Sequence, residues 1–229
     1  MVLAVRLQSC WLLIEVQDDG SARELRLPLP PHATAKSVPL STSPHVAART
    51  QAVAEALDGH RQLVVLGAGL DTSAYGRSGL RVYEVDKADA QQWKRAQLEE
   101  EPDHVAFVTC DFEHDDLGER LAAAGYRHDE PALFSWLGVT GYLTRPAIEA
   151  VLRFVGRAAP GTEVVFDYTD PSAEDDFARA MRDLVELVGE PILSVFERAE
   201  VAALVGACGL ELVHHEACIA RARVPDRLP

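Results

Sequence analysis

Basic residues are in short supply. Lys plus Arg total 22 against 36 Asp plus Glu, a formal net charge of −14 over 229 residues. A phosphate-backbone binder needs a concentrated basic surface, and the sequence has none, which argues against nucleic acid as a partner. Attraction to an anionic membrane surface is disfavoured on the same ground. Cysteine is scarce too. Cys10, Cys110, Cys208 and Cys218 contain no CxxC pair and are too few for a disulfide framework. A reducing cytoplasm is therefore the expected compartment. The most apolar segment, residues 2–16, is broken by Arg6, Gln8 and Glu15 and lacks a basic stretch before it, so it reads as neither signal peptide nor membrane span. No GxxxxGK[ST], HExxH or GxSxG motif occurs, and the eight histidines show no metal-ligand spacing, so no metal is expected.

What is present is ordinary globular composition, 48% hydrophobic and 25% charged. A chain of this length suits one compact domain that buries roughly 70% of its unfolded surface. Apolar runs on both sides of Asp18-Asp19-Gly20 read as an N-terminal β-hairpin. Residues 30–44, with four prolines, three serines and two threonines, read as a loop. Residues 1–43 are thus expected to be an accessory element, and 44–229 the main domain. A helix begins near Pro44, and from Gly59 onward strand and helix signals alternate. Strands are expected at 62–66, 81–85, 104–109, 132–136 and 162–168, with one or two more within 210–222. Helices are expected at about 87–100, 145–158, 172–188 and 198–207. This alternation predicts an α/β fold, a parallel sheet covered on both faces.

Gly67-Ala68-Gly69-Leu70-Asp71 sits where the first strand of that series is expected to turn into a helix. Glycines there let backbone N–H groups approach a ligand. The next strand ends in Glu84 and Asp86, seventeen residues past Gly69, where an acid can accept from ribose hydroxyls. The pattern is that of a nucleoside cofactor. A dinucleotide fold wants a third glycine where Thr72 stands, and Asp71 at a helix start repels a pyrophosphate. A cationic nucleoside fits better, and S-adenosylmethionine (SAM) carries both ammonium and sulfonium. At the end of the third strand, Asp111 is placed to accept from an adenine amino group and Phe112 to pack on the purine. A plainer reading has Asp111 capping the next loop and Phe112 in the core.

Five segments together are family-specific: QLVVLGAGLDT, VYEVD, CDF, FSWLGVTGYLT and PGTEVVFDY. From about Pro44 to residue 220 the chain resembles the leucine carboxyl methyltransferase-like group of class I SAM-dependent O-methyltransferases. The resemblance implies a Rossmann-like, mostly parallel sheet whose last strand is antiparallel, with methyl transfer to a carboxylate of a small molecule or peptide, including natural-product acids. It places Arg49, in HVAARTQAV, on the SAM carboxylate, Gly67 and Gly69 in the glycine turn, Asp86 on the ribose, and Asp111 with Phe112 at the adenine. Leu137 stands where some members carry a Glu that touches the SAM amino group. The N-terminal segment also departs from the longer helical one usual in the group.

Trp136 and Tyr142 flank the end of the fourth strand, where such enzymes place the acceptor, and Tyr75 follows the glycine turn; all three are acceptor-pocket candidates with core packing as the plainer alternative. His214 and His215 are expected on opposite faces of a strand, the first suspects for a base if the acceptor is a phenol or alcohol. Glu113-His114-Asp115-Asp116 reads as a solvated loop. The expected activity is direct transfer to a carboxylate, which is ionised at neutral pH and needs no base. The alternative is a SAM-binding protein without methyl transfer, a scaffold or cyclase; an NAD-dependent oxidoreductase is third. The apolar N-terminal hairpin is expected to cover the acceptor side or to pair with a second subunit.

Overall fold

A computed structural model of the chain describes residues 2–8, 11–18, 21–28, 44–69, 71–77, 79–98, 100–172 and 192–226. The N-terminal strands are β1 (Val2–Gln8), β2 (Trp11–Asp18) and β3 (Ser21–Pro28), paired antiparallel in the order β1-β2-β3. The expected hairpin is thus a three-stranded sheet. The apolar run 2–16 is two strands, with Gln8 opposite Trp11. The polar Gln8-Ser9 pair inside that run is the sequence signal for the break.

Helix α1 (Pro44–Ala56) leads into a seven-stranded sheet. Its strands are β4 (Gln62–Leu66), β5 (Arg81–Asp86), β6 (Val105–Thr109), β7 (Leu133–Trp136), β8 (Glu163–Asp167), β9 (Glu211–Glu216) and β10 (Ile219–Arg223). The described helices between them are α2 (Ala88–Arg95), α3 (Leu117–Ala123), α4 (Arg145–Val155) and α5 (Arg198–Ala207). The sheet order is β6-β5-β4-β7-β8-β10-β9, with β10 antiparallel to both neighbours. The Rossmann-like fold, its last strand reversed, stands as expected. The helix expected at 172–188 lies almost wholly outside the described residues.

Burial explains the apolar strands. Every residue of β4, β7 and β8 is buried, because helices cover both faces. One core gathers Val64, Phe134, Trp136 and Phe166 against Leu121, Leu152 and Val205 of α3, α4 and α5. The other sets Leu63, Val65, Leu133 and Val165 against Ala56 and its neighbours at the end of α1. The edge strand β9 is largely exposed, matching its more polar sequence.

Between β4 and β5 the structure corrects the sequence reading. No helix follows the glycine turn among the described residues; a series of turns spans 73–76. Tyr75 N–H donates to the Thr72 carbonyl and Arg77 N–H to that of Ala74, each three residues back. With Gly67, Gly69, Gly76 and Gly79 crowded into thirteen residues, the backbone entropy cost disfavours continuous helix. Asp71 is therefore a turn residue, its carboxylate accepting from Ser73 N–H at 2.8 Å.

The close packing of α4 on the chain end of α5 generates a test. A Cβ at Gly156 would overlap the Cys208 backbone, whereas one at Gly206, inside α5, meets nothing within 4 Å. Overpacking against backbone costs about 1–3 kcal/mol, or roughly 2–12 °C in Tm for a chain of this size. Gly156→Ala should lower Tm by that amount and Gly206→Ala should hold or raise it. Equal melting of the two variants contradicts the packing.

Candidate functional site

The sheet order reverses between β4 and β7: β5 and β6 build outward from one side of β4, then the chain crosses to start β7 on the other. In open α/β sheets the ligand crevice lies outside the carboxyl ends of the strands at such a reversal. Gly67, Asp86, Asp111 and Leu137, singled out from sequence, stand at the carboxyl ends of β4, β5, β6 and β7.

Both central strands end in left-handed glycine turns, Gly67 at φ +66° after β4 and Gly138 at φ +73° after β7. The two turns touch. A Cβ at Gly67 would collide with the Val139 side chain, and one at Gly138 would stand 3.7 Å from Arg49 Nη1. Glycine is thus required at 67 by conformation and by space. Ala68 is buried, and Gly67 N–H and Ala68 N–H both donate to the Val85 carbonyl.

Asp86 ties the turn to β5. One carboxylate oxygen accepts from Gly69 N–H at 2.7 Å and the other from Lys87 N–H at 2.7 Å. The carboxylate therefore sits directly over the glycine turn. Glu84, two residues earlier, is enclosed: it is 1% exposed and pairs with Lys94 Nζ at 2.7 Å, with the Tyr75 hydroxyl 3.3 Å away. Lys94 also bonds the Asp71 carbonyl and lies over the Tyr75 ring at 5.3 Å. Burial pushes the Glu84 carboxyl up, and the Lys94 charge opposes this. Tyr75 points into this cluster, and its hydroxyl is pushed well above its ordinary value by burial and then by the Glu84 charge. The pair and the ring tie the turn to β5 and α2.

At the end of β6, Asp111 accepts from Glu113 N–H at 3.0 Å and lies 3.3 Å from His114 and 3.8 Å from Lys87 Nζ. The Glu113 N–H, with His114 and Lys87, holds its carboxyl below the usual range. Phe112 packs partly buried on the core, its ring 6.2 Å from that of Trp136. Asp115 takes the Asp111 N–H at 2.9 Å and Arg120 at 2.8 Å, and the other two acids of the loop are capping groups. Asp116 caps α3 through Glu119 N–H at 2.9 Å, and Glu113 takes the Thr144 N–H and hydroxyl at the start of α4, both at 2.7 Å. Among the described residues no cluster of His, Cys, Asp or Glu is arranged to hold a metal ion.

On the other side of the reversal stands a pair that sequence reasoning half saw. Arg49, from α1, forms an ion pair with Asp167 at the end of β8. Asp167 also accepts from Gly138 N–H at 2.6 Å. Asp167 and Gly138 were missed as site residues, although FDY ends a buried strand in an acid just as VYEVD does. Leu137 packs partly buried on the α1-side core. Trp136 is fully buried between Phe112 and Phe166. Tyr142 is partly buried on the single helical turn Thr140–Tyr142. His214 is exposed, while His215 is buried with its Nε2 2.7 Å from the Tyr168 hydroxyl. Burial and the nearby Arg198 hold His215 below its ordinary value.

Comparison with known proteins fits this geometry. A family model described as leucine carboxyl methyltransferase matches residues 11–156, starting inside β2 and thus earlier than the motifs suggest. YktD of Bacillus subtilis, provisionally named a SAM-dependent methyltransferase, is 31% identical over 175 residues, which are 70% of this chain and 57% of that protein. The chain spans little more than half the length of the curated relatives it matches. Among solved structures, a DUF574 family protein from Streptomyces avermitilis aligns with TM-score 0.60 at 17% identity, covering 79% of this chain and 82% of that one. Human N-acetylserotonin methyltransferase, solved in complex with SAM, aligns with TM-score 0.52 at 15% identity, covering 79% and 55%.

The buried Glu84–Lys94 pair yields a stability test. Removing one partner of a buried pair costs about 3–5 kcal/mol, so Lys94→Met should lose about that much near pH 8. In that variant Glu84 loses the opposing Lys94 charge and keeps the raised folded pKa of a buried acid, which the Tyr75 hydroxyl still moderates. Between its unfolded and folded pKa the folded state then holds more protons, so the deficit shrinks as pH falls toward 5. Adding Glu84→Gln should recover most of the loss. A deficit independent of pH, measured by denaturant unfolding, contradicts the pairing.

Proposed function

This chain belongs to the leucine carboxyl methyltransferase family, and from that premise we propose that it is a SAM-dependent O-methyltransferase acting on a carboxylate of a small-molecule or peptide natural product. The observation that carries this reading is the joining of an acid-bonded glycine turn, Asp86 on Gly69 N–H, to an arginine across the same sheet reversal. The residues fit SAM. The turn leaves no room for a side chain at Gly67. Among the described residues the Arg49 Nε–H is buried without a hydrogen-bond partner, an unused donor suited to an anion. Carboxylates of Asp71, Asp86, Asp111 and Asp167 line this edge against Arg49 and Lys87, a balance that favours a cationic ligand over a pyrophosphate.

Bound there, SAM would supply a methyl group on a sulfonium: the acceptor oxygen would bond to that carbon in line as the methyl–sulfur bond breaks and S-adenosylhomocysteine leaves. Arg49 takes the ligand carboxylate, Asp86 the ribose hydroxyls, and Asp111 with Phe112 the adenine. Gly67, Ala68 and Gly69 give close backbone approach, and Leu137 an apolar wall. Trp136 and Tyr142 shape the acceptor side, Trp136 by packing. With donor and acceptor aligned, positioning provides most of the rate. A carboxylate acceptor requires no proton transfer, which agrees with the two histidines once suspected as bases: one is exposed and the other is held by Tyr168. Free Cys110, Cys208 and Cys218 agree with a reducing compartment, and no helix among the described residues is long and apolar enough to cross a membrane. We assign the accessory element 1–43, whose described strands are β1 to β3, to the acceptor side or to a second subunit.

The test is incubation with SAM and a panel of carboxylic acids and phenols, read by mass spectrometry. One methyl gained on a carboxylate, with release of S-adenosylhomocysteine and a rate flat between about pH 6 and pH 9, is expected. SAM binding with no methyl gained on any acceptor moves the chain to the alternative of a binding protein or cyclase. Asp86→Ala should weaken SAM binding roughly 10- to 150-fold, the loss of a charge-assisted bond. Unchanged affinity removes Asp86 from the site.

A further inference from the structure

The ion pair at the ends of α1 and β8 has the form of a reader for an amino-acid head group. Asp167 is nearly enclosed, its side chain 5% exposed, while the Arg49 side chain beside it is 28% exposed. Gly138 N–H fixes the carboxylate from the β7 side. The pair is therefore rigid at its acidic half and open at its basic half.

A salt bridge built only for the fold would engage the guanidinium fully, because an unpartnered buried donor costs about 1–3 kcal/mol. Arg49 does not meet that condition. Asp167 engages Nη2, the Nε–H is buried with no partner among the described residues, and Nη1 lies beside Gly138, 3.7 Å from where a Cβ would stand. An α-amino acid carries a carboxylate and an ammonium on one carbon. Its complement is a fixed cation beside a fixed anion, so that four charges alternate in sign. Arg49 and Asp167 are such a couple.

Asp167 differs from the other acids at this edge in its partner, because its carboxylate is the one paired with Arg49. Asp86 holds Gly69 and Lys87, Asp71 holds Ser73, and Asp111 holds its own loop. Pairing of Trp136 with Phe166 in the ladder puts Leu137 beside Asp167, and Leu137 has no charge to offer. We propose that Asp167 binds the α-ammonium group of the cofactor's methionine portion while Arg49 binds its α-carboxylate. This rests on the cofactor reading above and adds a residue and a ligand group to it.

Calorimetric titration of the full chain with three probes separates the possibilities. S-adenosylhomocysteine carries the whole head, its desamino analogue keeps the carboxylate alone, and 5′-methylthioadenosine lacks the head. In the wild type, S-adenosylhomocysteine should bind at least about tenfold tighter than the desamino analogue. Asp167→Asn should weaken S-adenosylhomocysteine about 10- to 100-fold, leaving the desamino analogue and 5′-methylthioadenosine within about threefold. Unchanged S-adenosylhomocysteine affinity in Asp167→Asn overturns the assignment. So do equal losses for S-adenosylhomocysteine and the desamino analogue, which would mean that Asp167 serves only to hold Arg49. Should the variant not fold, equal wild-type affinities for those two probes overturn it instead. A wild type that ignores all three probes refutes the cofactor reading itself.

Discussion

The contact of Gly67 with Val139 governs the carboxyl edge of the sheet. Two neighbouring parallel strands end in left-handed turns that lie so close that no Cβ fits between them. That approach fixes how near β4 and β7 stand at their ends and so how wide the crevice is. It also brings Gly69 under the Asp86 carboxylate and Gly138 under that of Asp167. Each acid binds a backbone N–H of a glycine turn, one on either side of the reversal. The site is thus built from main chain and held by two carboxylates.

Beneath the first turn, a charged pair stands in place of apolar packing. Lys94 reaches from α2 to Glu84 and to the Asp71 carbonyl, so it ties the turn, β5 and α2 together. Enclosing two charges costs solvation that their attraction only partly offsets, so such a pair contributes specificity of position more than net stability. Here the position it specifies is that of the loop after Gly69, which carries no helix among the described residues. The acids of the 113–116 loop are used locally: Asp116 caps α3, Glu113 holds the start of α4, and Asp115 takes Asp111 N–H and Arg120.

The fold was legible because its strands are buried on both faces. Runs such as QLVVL, ALFSW and TEVVF have no alternation to mistake, and the acids and glycines at their ends punctuate them. What was not legible has three physical causes. The segment after Gly69 reads as a helix by analogy with nucleotide folds, but local glycine content decided for turns. The apolar run at the N-terminus exceeds the length of one strand, and the break at Gln8-Ser9 is too short to stand out. Asp167 lay in a quoted motif, yet its role depends on Arg49, 118 residues away in sequence, and no local pattern reports that pairing. Lys94 joins Glu84 of β5 to Tyr75 of the turn, a contact across elements that no local pattern reports.

The central claim is that this edge holds a cationic nucleoside with an amino-acid head and not a dinucleotide. Titration of the wild-type chain with S-adenosylhomocysteine and with NADH tests it directly. The account predicts saturable binding of S-adenosylhomocysteine, with Kd on the order of micromolar, and no response to NADH. Saturable NADH binding without any response to S-adenosylhomocysteine would contradict it.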